Sequence, residues 1–328
     1  MDSHTPALSA IVVLGSVRKR AQRVVNGLCA QSVATDIEII IVDLWAKETP
    51  SLATYGPARV TYLMYPRTST WGQARAEGFR QACAPVVAFI EDHCFPTRNW
   101  AEVLIQTHQG PWAAVGYSFT NANPKTYISR VSMTLDYGPW ASPTQSGPAQ
   151  FLQNNNISYK RKLIASLPGP LEILLASDFN VQEQLTQRGH QLYLESRAVA
   201  AHHNFTLLSE MLEENFVHCR LVASHRADIQ SWSRTRRISY ALGTPLTSPT
   251  FRFVRLLWSL RTRRALWKPL FLSLPVMMVS YPWAGAGEAL GYLLGNGTAS
   301  LDINVCLLET ERGKTSRSTS RGGEVDPR

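Results

Sequence analysis

The sequence lacks the cysteine pairs of a disulfide framework or a structural zinc site. Its 328 residues contain five cysteines, which are widely spaced and include no C-x-x-C pair. Scattered cysteines of odd number are typical of a reducing compartment and argue against a disulfide-stapled fold. With 45% hydrophobic residues, the chain is instead large enough to bury one sizeable core or two smaller ones.

The sequence also lacks a recognisable secretory leader and a dinucleotide-binding glycine motif. Residues 9–14 form the first apolar stretch, which is too short and too β-branched for the core of a signal peptide. The turn that follows, residues 15–18, reads GSVR and contains no G-x-G-x-x-G pattern. We therefore expect no leader, and a Rossmann-type oxidoreductase is set aside.

Acidic residues are in the minority, with 24 Asp and Glu against 33 Lys and Arg, a formal net charge of +9. A basic chain suits nucleic acid, anionic lipid or phosphorylated substrates alike. Arginines are concentrated in residues 217–268, directly before the most apolar segment, residues 269–295. That juxtaposition favours a membrane surface, while the Arg- and Trp-rich residues 232–268 leave nucleic-acid binding open as a rival.

Short apolar segments alternate with amphipathic ones through the first half of the chain. We predict strands over residues 9–14, 37–42, 60–64, 86–90 and 113–117, and helices over residues 18–31, 72–83 and 100–108. This alternation is typical of βαβ units. It predicts an α/β fold with a mostly parallel, Rossmann-type sheet and flanking helices.

The middle of the chain is less regular. Residues 121–150 are rich in Pro, Ser, Thr, Asn and Gly, which predicts a long loop that either covers a site or merely connects two elements. Beyond it we predict an edge strand over residues 154–159, a helix over 177–188, short strands over 191–194 and 198–201, and a helix over 207–219.

The composition shifts after about residue 224 and indicates three regions. We expect an α/β domain over residues 1–223, a basic and apolar helical, membrane-associated region over 224–295, and a disordered tail over 296–328. Residues 269–295 are long enough to span a bilayer, but prolines and glycines interrupt them. A broken span, a re-entrant hairpin, a monotopic helix and a helical hairpin packed on the α/β domain all stay open. A spanning segment would have its basic flank on the cytoplasmic side.

Acidic and imidazole side chains stand where predicted strands end or helices begin. They are Asp43, Glu91, Asp92, His93, Asp178, His202 and His203. Open α/β sheets bind ligands at the carboxyl ends of their strands, and two carboxylates beside an imidazole are usually held by a divalent cation. Taken singly, Asp43 or Asp92 could cap a turn, and Asp178 could complement a helix dipole.

Six segments contain or flank these side chains in a fixed order. They read EIIIVD (residues 38–43), GQARAEG (72–78), VVAFIEDHCFP (86–96), NNNISYKRKLI (154–164), SDFNVQEQLTQRGH (177–190) and AVAAHHN (198–204). In this order they resemble the motifs of family-2 glycosyltransferases, which have the GT-A fold and use nucleotide-sugar donors. The resemblance covers roughly residues 8–220. The departures are Gly15 and Ser16 in place of Pro-Thr, Glu91 and His93 in place of the outer aspartates of an Asp-x-Asp motif, and Ser177 in place of Glu.

The resemblance implies roles for individual residues. It implies nucleotide-sugar contacts for Leu14, Asp43, Gly72, Arg75 and Asp92; a divalent cation, Mn²⁺ or Mg²⁺, on Glu91, His93 and His202; a general base at Asp178; and acceptor contacts for Asn155 and Asn156. It implies an inverting transfer, because the base activates a hydroxyl on the face opposite the leaving group. The altered metal motif also leaves open an inactive relative that only binds nucleotide sugars.

One later segment, GEALGYLLG (residues 287–295), resembles the end of the membrane segment in many bacterial members of the family. The resemblance therefore implies a membrane-proximal acceptor, either lipid-linked or an envelope glycan. It further implies a location on the cytoplasmic face of the cell membrane and no nucleic-acid partner.

Overall fold

The computed structural model describes residues 5–46 and 52–310, in which a sheet lies between helices. The strands are β1 (Leu8–Leu14), β2 (Ile37–Asp43), β3 (Arg59–Met64), β4 (Val86–Glu91), β5 (Cys94–Pro96), β6 (Ala114–Asn121), β7 (Gly147–Ala149), β8 (Ile157–Lys160) and β9 (Leu192–His202). The helices are α1 (Arg18–Cys29), α2 (Trp71–Gln81), α3 (Trp100–His108), α4 (Tyr127–Tyr137), α5 (Arg161–Ala165), α6 (Leu171–Leu174), α7 (Asp178–Gln187), α8 (Leu208–Ile229), α9 (Arg234–Leu260), α10 (Trp267–Leu294) and α11 (Ala299–Asn304).

The sheet has the strand order β3-β2-β1-β4-β8-β6-β9-β5, and β7 also pairs with β9. The pairs β1/β2, β1/β4, β2/β3 and β6/β9 are parallel, and the remaining pairs are antiparallel and shorter. The predicted α/β fold with a mostly parallel sheet is confirmed. Its register places Asp43 beside Leu14, and Glu91 beside Val13, so the carboxyl ends of β1, β2 and β4 form one edge.

Side chains that alternate along the central strands fill a core on each face of the sheet. In β1, Ala10 and Val12 belong to the core that includes α1 and α3, whereas Ile11 and Val13 belong to the core that includes α2 and α7. Every residue of β1, β2 and β4 is buried. Burial on both faces explains why these strands read as continuous apolar runs in the sequence.

Three predictions for the middle of the chain are wrong. Residues 121–150 are not a loop, because they contain α4, whose first turn is capped by the Thr126 side chain, and β7. The segment at 154–159 is not an edge strand, because β8 lies between β4 and β6. The two short strands predicted over residues 191–194 and 198–201 are one strand, β9 (Leu192–His202), whose register with β6 shifts after Glu195.

The C-terminal helices pack on the α/β part of the chain. Helix α10 lies along α8 and α9, and the backbone of α8 approaches Gly287 and Gly291 so closely that an added Cβ would lie 2.4 and 2.3 Å from the carbonyl oxygens of Phe216 and Arg220. Residues Arg264–Leu294 form a helix long and apolar enough to cross a membrane, and 44% of its most apolar window is buried inside the molecule. The predicted boundary at residue 224 falls inside α8, and the division into domains stays a prediction.

The prediction of a disordered tail that begins at residue 296 is wrong for residues 299–309. Helix α11 and the π-helical turn of residues 305–309 are ordered, and Leu307 and Leu308 are buried in the same core as Ile11. The remaining tail, residues 311–328, lies outside the described residues.

Candidate active site

Three strand ends bring predicted site residues to one edge of the sheet. Asp43 ends β2, Glu91 ends β4 and His202 ends β9. The turn after β4 joins β9 directly, because the backbone amide of His203 donates to the carbonyl of His93 over 3.0 Å. Residues that are more than a hundred positions apart in the sequence therefore meet beside the end of β4.

Glu91, His93 and His202 form a buried cluster of three potential metal ligands. One ligand atom from each lies within 4.8 Å of the others. The Nε2 atoms of His93 and His202 lie 3.5 and 3.4 Å from Oε2 of Glu91. All three residues are at most 3% exposed.

The neighbours of the two imidazoles fix their tautomers. Nδ1 of His93 lies 3.0 Å from a carboxylate oxygen of Asp92, which can only accept, so this nitrogen carries the hydrogen. Nδ1 of His202 lies 2.9 Å from Oδ1 of Asn204, whose amide is oriented by a bond from Nδ2 to the carbonyl of His202. Both Nε2 lone pairs therefore face Glu91, an arrangement that is repulsive unless a proton or a metal cation lies between them. Such outer hydrogen bonds are typical of metal-binding histidines.

Glu91 is held in place from the side opposite the histidines. Nδ2 of Asn155 donates to Oε1 over 2.9 Å, Nδ2 of Asn156 donates to Oε2, and the hydroxyl of Tyr137 donates to Oε2 over 3.4 Å. Asn155 has a φ of +65°, a conformation that Asn tolerates better than most residues. The two amides predicted to face the acceptor thus position Glu91; Asn155 also lines the adjoining cavity, whereas Asn156 is fully buried.

The carboxylate of Asp178 is fully buried and engaged by the protein. Arg75 bonds to both oxygens at 3.0 Å, the Tyr159 hydroxyl donates to Oδ1 over 2.8 Å, and the backbone amide of Asn155 donates to Oδ2 over 2.7 Å. Asp178 lies behind the cavity wall, which Asn155 and Phe179 form beside it. Asp178 is thus shielded from the cavity, and its assignment as the general base stays a prediction.

Arg75 and Gly72, predicted to bind the donor, also have structural surroundings. Arg75 is 1% exposed, and besides Asp178 it bonds to the carbonyl of Leu175. A Cβ on Gly72 would lie 1.9 Å from the carbonyl of Glu172, so Gly72 lets α2 pack closely on α6. A direct donor contact for Arg75 or Gly72 stays a prediction.

The other predicted donor residues line the sheet edge but have protein partners. Asp43 accepts from Arg18, from the Tyr62 hydroxyl and from the backbone amide of Trp45, so a nucleobase would have to displace one of them. Asp92 pairs with Arg20 over 3.1 Å in addition to His93. Leu14 is fully buried beside Asp43. Their donor contacts stay predictions.

A cavity of about 740 Å³ connects the metal-ligand cluster to the C-terminal helices. Glu91 and His202 belong to its lining, together with residues of α4, α7, α8, α9 and α10 and of the segment before β8. Its volume is in the range of sites that bind small molecules. The cavity therefore offers space for a ligand beside Glu91.

His218 and Glu214 are cavity residues that the sequence reasoning missed. Nδ1 of His218 lies 3.7 Å from a carboxylate oxygen of Glu214, one turn earlier on α8, and Nε2 faces the side-chain amide of Asn154 at 3.4 Å. Burial, together with the charge of Arg252, lowers the pKa of His218 to about 4. His218 is therefore neutral at pH 7. The i,i+4 spacing of Glu214 and His218 was the only signal in the sequence.

Comparison with known proteins gives one family match, over part of the chain. Residues 9–166 match the sequence model of Glycosyl transferase family 2, a segment that runs from β1 to α5 and includes Asp43 and Glu91. None of the curated proteins matches the chain.

Three solved structures are similar to this chain at 14% identity. S. aureus TarS 1-349 is similar over 89% of this chain and 90% of its own, with a TM-score of 0.42. The mannosyltransferase PcManGT from Pyrobaculum calidifontis, in complex with GDP-Man and Mn²⁺, is similar over 91% of this chain and 88% of its own, with a TM-score of 0.49. GalNAc-T7 with UDP, GalNAc and Mn²⁺ is similar over 63% of this chain and 44% of its own, with a TM-score of 0.45.

Proposed function

We propose, from the premise that residues 9–166 form a glycosyl transferase family 2 domain, that this protein moves a sugar from a nucleotide-diphosphate sugar to a hydroxyl group of an acceptor. The observation that carries the proposal is the cluster of Glu91, His93 and His202, which lies at the carboxyl edge of the sheet. A cavity large enough for a sugar begins beside it.

The donor atoms of this cluster suit a divalent cation. Glu91, His93 and His202 would hold it, and their two imidazoles favour Mn²⁺ over Mg²⁺. A bound cation supplies Lewis-acid neutralisation of the charge on a departing diphosphate. Asp92 and Asn204 keep the Nε2 lone pairs of the histidines directed at the site, and Asn155 keeps Glu91 in place.

For the proton of the acceptor hydroxyl we propose His218. Its imidazole is neutral at pH 7, it lines the cavity, and Glu214 can orient its Nδ1–H. A base that faces the cavity would activate the hydroxyl on the side away from the leaving diphosphate, which gives inversion at the anomeric carbon. Asp178 instead holds Asn155, and through it Glu91.

The acceptor we propose is a lipid-linked or envelope glycan at the cytoplasmic face of the membrane. Large apolar side chains on α9 and α10 are exposed, including Leu246 at 79% and Met278 at 77%. Exposed apolar surface of this extent marks a site of interaction with a membrane or a partner. Flotation of the full chain with anionic liposomes tests the membrane part, and a chain that stays in the soluble fraction contradicts it.

Nucleotide-sugar consumption, including slow hydrolysis, tests the chemistry. Glu91→Gln or excess EDTA should lower turnover by at least about 100-fold, because the cation site is lost, whereas Glu102→Gln on the surface of α3 should leave turnover unchanged.

His218→Gln should lower turnover by about 10²–10⁴-fold with donor binding retained. Wild-type turnover should fall as the pH drops towards about 4, where His218 becomes protonated. Full activity in EDTA, or no consumption of any nucleotide sugar by the wild type, would contradict the proposal.

A further inference from the structure

Two arginines of α9, Arg252 and Arg255, line the part of the cavity that faces the C-terminal helices. Arg252 is neutralised within the protein, because its guanidinium bonds to the carboxylate of Glu288 on α10. Arg255 has no such partner, because within residues 5–46 and 52–310 no carboxylate lies within ion-pair distance of its guanidinium. The guanidinium instead lies 4.6 Å over the ring of Phe151 and 5.7 Å over the ring of Phe251.

Among residues 5–46 and 52–310, Arg255 has no ion-pair partner of its own, although carboxylates such as Glu288 line the same cavity. Burial, together with the charge of Arg252, lowers the pKa of Arg255, but an arginine still stays protonated at neutral pH. The groups that face it are the hydroxyl of Tyr281 on α10 and the Glu288 carboxylate that Arg252 already occupies. A partly buried cation between aromatic rings is a strong site for an anion, since charge-assisted hydrogen bonds strengthen where water is excluded.

The position of Arg255 relates this site to the catalytic edge. The same cavity is lined by Glu91 and His202 and by Arg255 and Phe251. Phe251 is 64% exposed, so this part of the lining reaches the surface of α9. A molecule that fills the cavity can therefore contact both Glu91 and Arg255.

We infer that Arg255 binds a phosphate group of the acceptor, and that the acceptor is a phosphorylated molecule seated in the cavity between α9 and the sheet edge. This inference rests on the proposed function, because it assigns the second substrate of the same site. The phosphate could belong to a lipid headgroup or to a water-soluble sugar phosphate, and the chemistry at Arg255 is shared by both. Phe151 and Phe251 then pack against the apolar or sugar part next to the phosphate.

Binding of matched probes to the full chain tests the inference. The probes are farnesyl phosphate and farnesol in micelles of a non-ionic detergent, and glucose 1-phosphate and glucose in buffer, with affinity read by microscale thermophoresis. The wild type should prefer the phosphorylated member of at least one pair. Preference for farnesyl phosphate identifies a lipid acceptor, and preference for glucose 1-phosphate identifies a soluble one.

Substitutions at Arg255 should remove that preference. Arg255→Gln should weaken binding of the preferred phosphate by about 10–100-fold, the effect expected for one charge-assisted hydrogen-bonding group, and Arg255→Lys should retain part of it. The matched control Arg264→Gln removes the same charge from an exposed position near the same end of α9 and should bind as the wild type does. Equal affinity for both members of each pair, or an equal loss in Arg264→Gln, would overturn the inference.

Two further measurements distinguish failure of the phosphate site from failure of the proposed function and from unfolding of a variant. Donor hydrolysis by the wild type without an acceptor reports on the proposed function alone, so hydrolysis without phosphate preference refutes only the phosphate site. Thermal unfolding of Arg255→Gln and Arg255→Lys shows whether each is folded. Should the Gln variant be unfolded, a Lys variant that keeps the phosphate preference supports the inference, and a folded Lys variant without any preference contradicts it.

Discussion

The carboxylate of Asp178 accepts four hydrogen bonds from three neighbours, so its charge is balanced inside the protein. The strongest partner is Arg75, which is itself buried. Buried ion pairs contribute little net stability, but removing one partner leaves an uncompensated charge in a medium of low polarity. At the scale of the residue, Asp178 is thus bonded to Asn155, whose side chain in turn donates to Glu91.

Asp178→Asn should consequently destabilise the fold by about 3–5 kcal/mol, because Arg75 is left without its carboxylate. The matched control is Asp228→Asn, whose ion pair with Arg237 is half exposed at 2.7 Å; exposed pairs contribute about 0–1 kcal/mol. Urea unfolding of the two variants and the wild type gives the comparison. An Asp178→Asn variant that is as stable as the wild type but turns over about 10²–10⁴-fold more slowly would restore Asp178 as the general base.

Residue roles were predictable from the sequence only where a side chain stands at a strand end. Glu91, His93 and His202 were placed correctly at the sheet edge because the end of a buried strand fixes the position of the next side chains. The burial of Arg75 against Asp178 was not predicted, because a motif does not show whether a long side chain turns towards a ligand or towards a buried partner. His218 was missed, because a histidine on a helix has no strand end to mark it.

At the scale of the element, α10 is positioned by two glycines four residues apart. Gly287 and Gly291 lie against carbonyl oxygens of α8 at distances that no Cβ would tolerate. Small residues at this spacing let two helix backbones approach closely. The segment that resembles a membrane-segment ending thus also forms the contact between α10 and α8.

Gly291→Ala should destabilise the protein by about 1–3 kcal/mol, because the added methyl group forces α10 away from the Arg220 carbonyl. Gly243→Ala in α9 is the control. A Cβ there meets nothing within 4 Å, so the higher helix propensity of Ala should leave stability unchanged or raise it by up to about 1 kcal/mol. Thermal or urea unfolding measures both. If the two substitutions have the same effect, the close approach of α10 to α8 is refuted.

Strands were predictable from the sequence where both of their faces are buried in the protein. The strands β1, β2 and β4 were predicted to within one or two residues, because both faces are apolar. Helix α4 was not, since Ser and Thr between its apolar positions resemble a loop, and its Thr126 cap was not recognised. Strand β8 was taken for an edge because it is short and follows three asparagines, yet it is buried in the middle of the sheet.

At the scale of the whole molecule, residues near the C-terminal end of the described chain pack against residues near its start, beside the carboxyl edge of the sheet. Arg20, which pairs with Asp92, also donates to the carbonyl of Leu307 over 2.6 Å, and a Cβ on Gly15 would lie 2.3 Å from the carbonyl of Leu308. Residues 305–309 therefore cover the turn after β1. No local pattern predicts such a contact, because it joins positions almost three hundred residues apart.

The central claim is that side chains from β4, the turn after it and β9 hold one divalent cation beside a nucleoside diphosphate. Electron spin echo envelope modulation of Mn²⁺ bound to the full chain, with UDP or GDP added, measures this directly. The account predicts ¹⁴N modulation from the imidazoles of His93 and His202 together with ³¹P coupling from the diphosphate. His202→Gln should reduce the ¹⁴N modulation, and His190→Gln, outside the site, should not. A ³¹P coupling without ¹⁴N modulation, or ¹⁴N modulation that is unchanged in His202→Gln, would contradict the account.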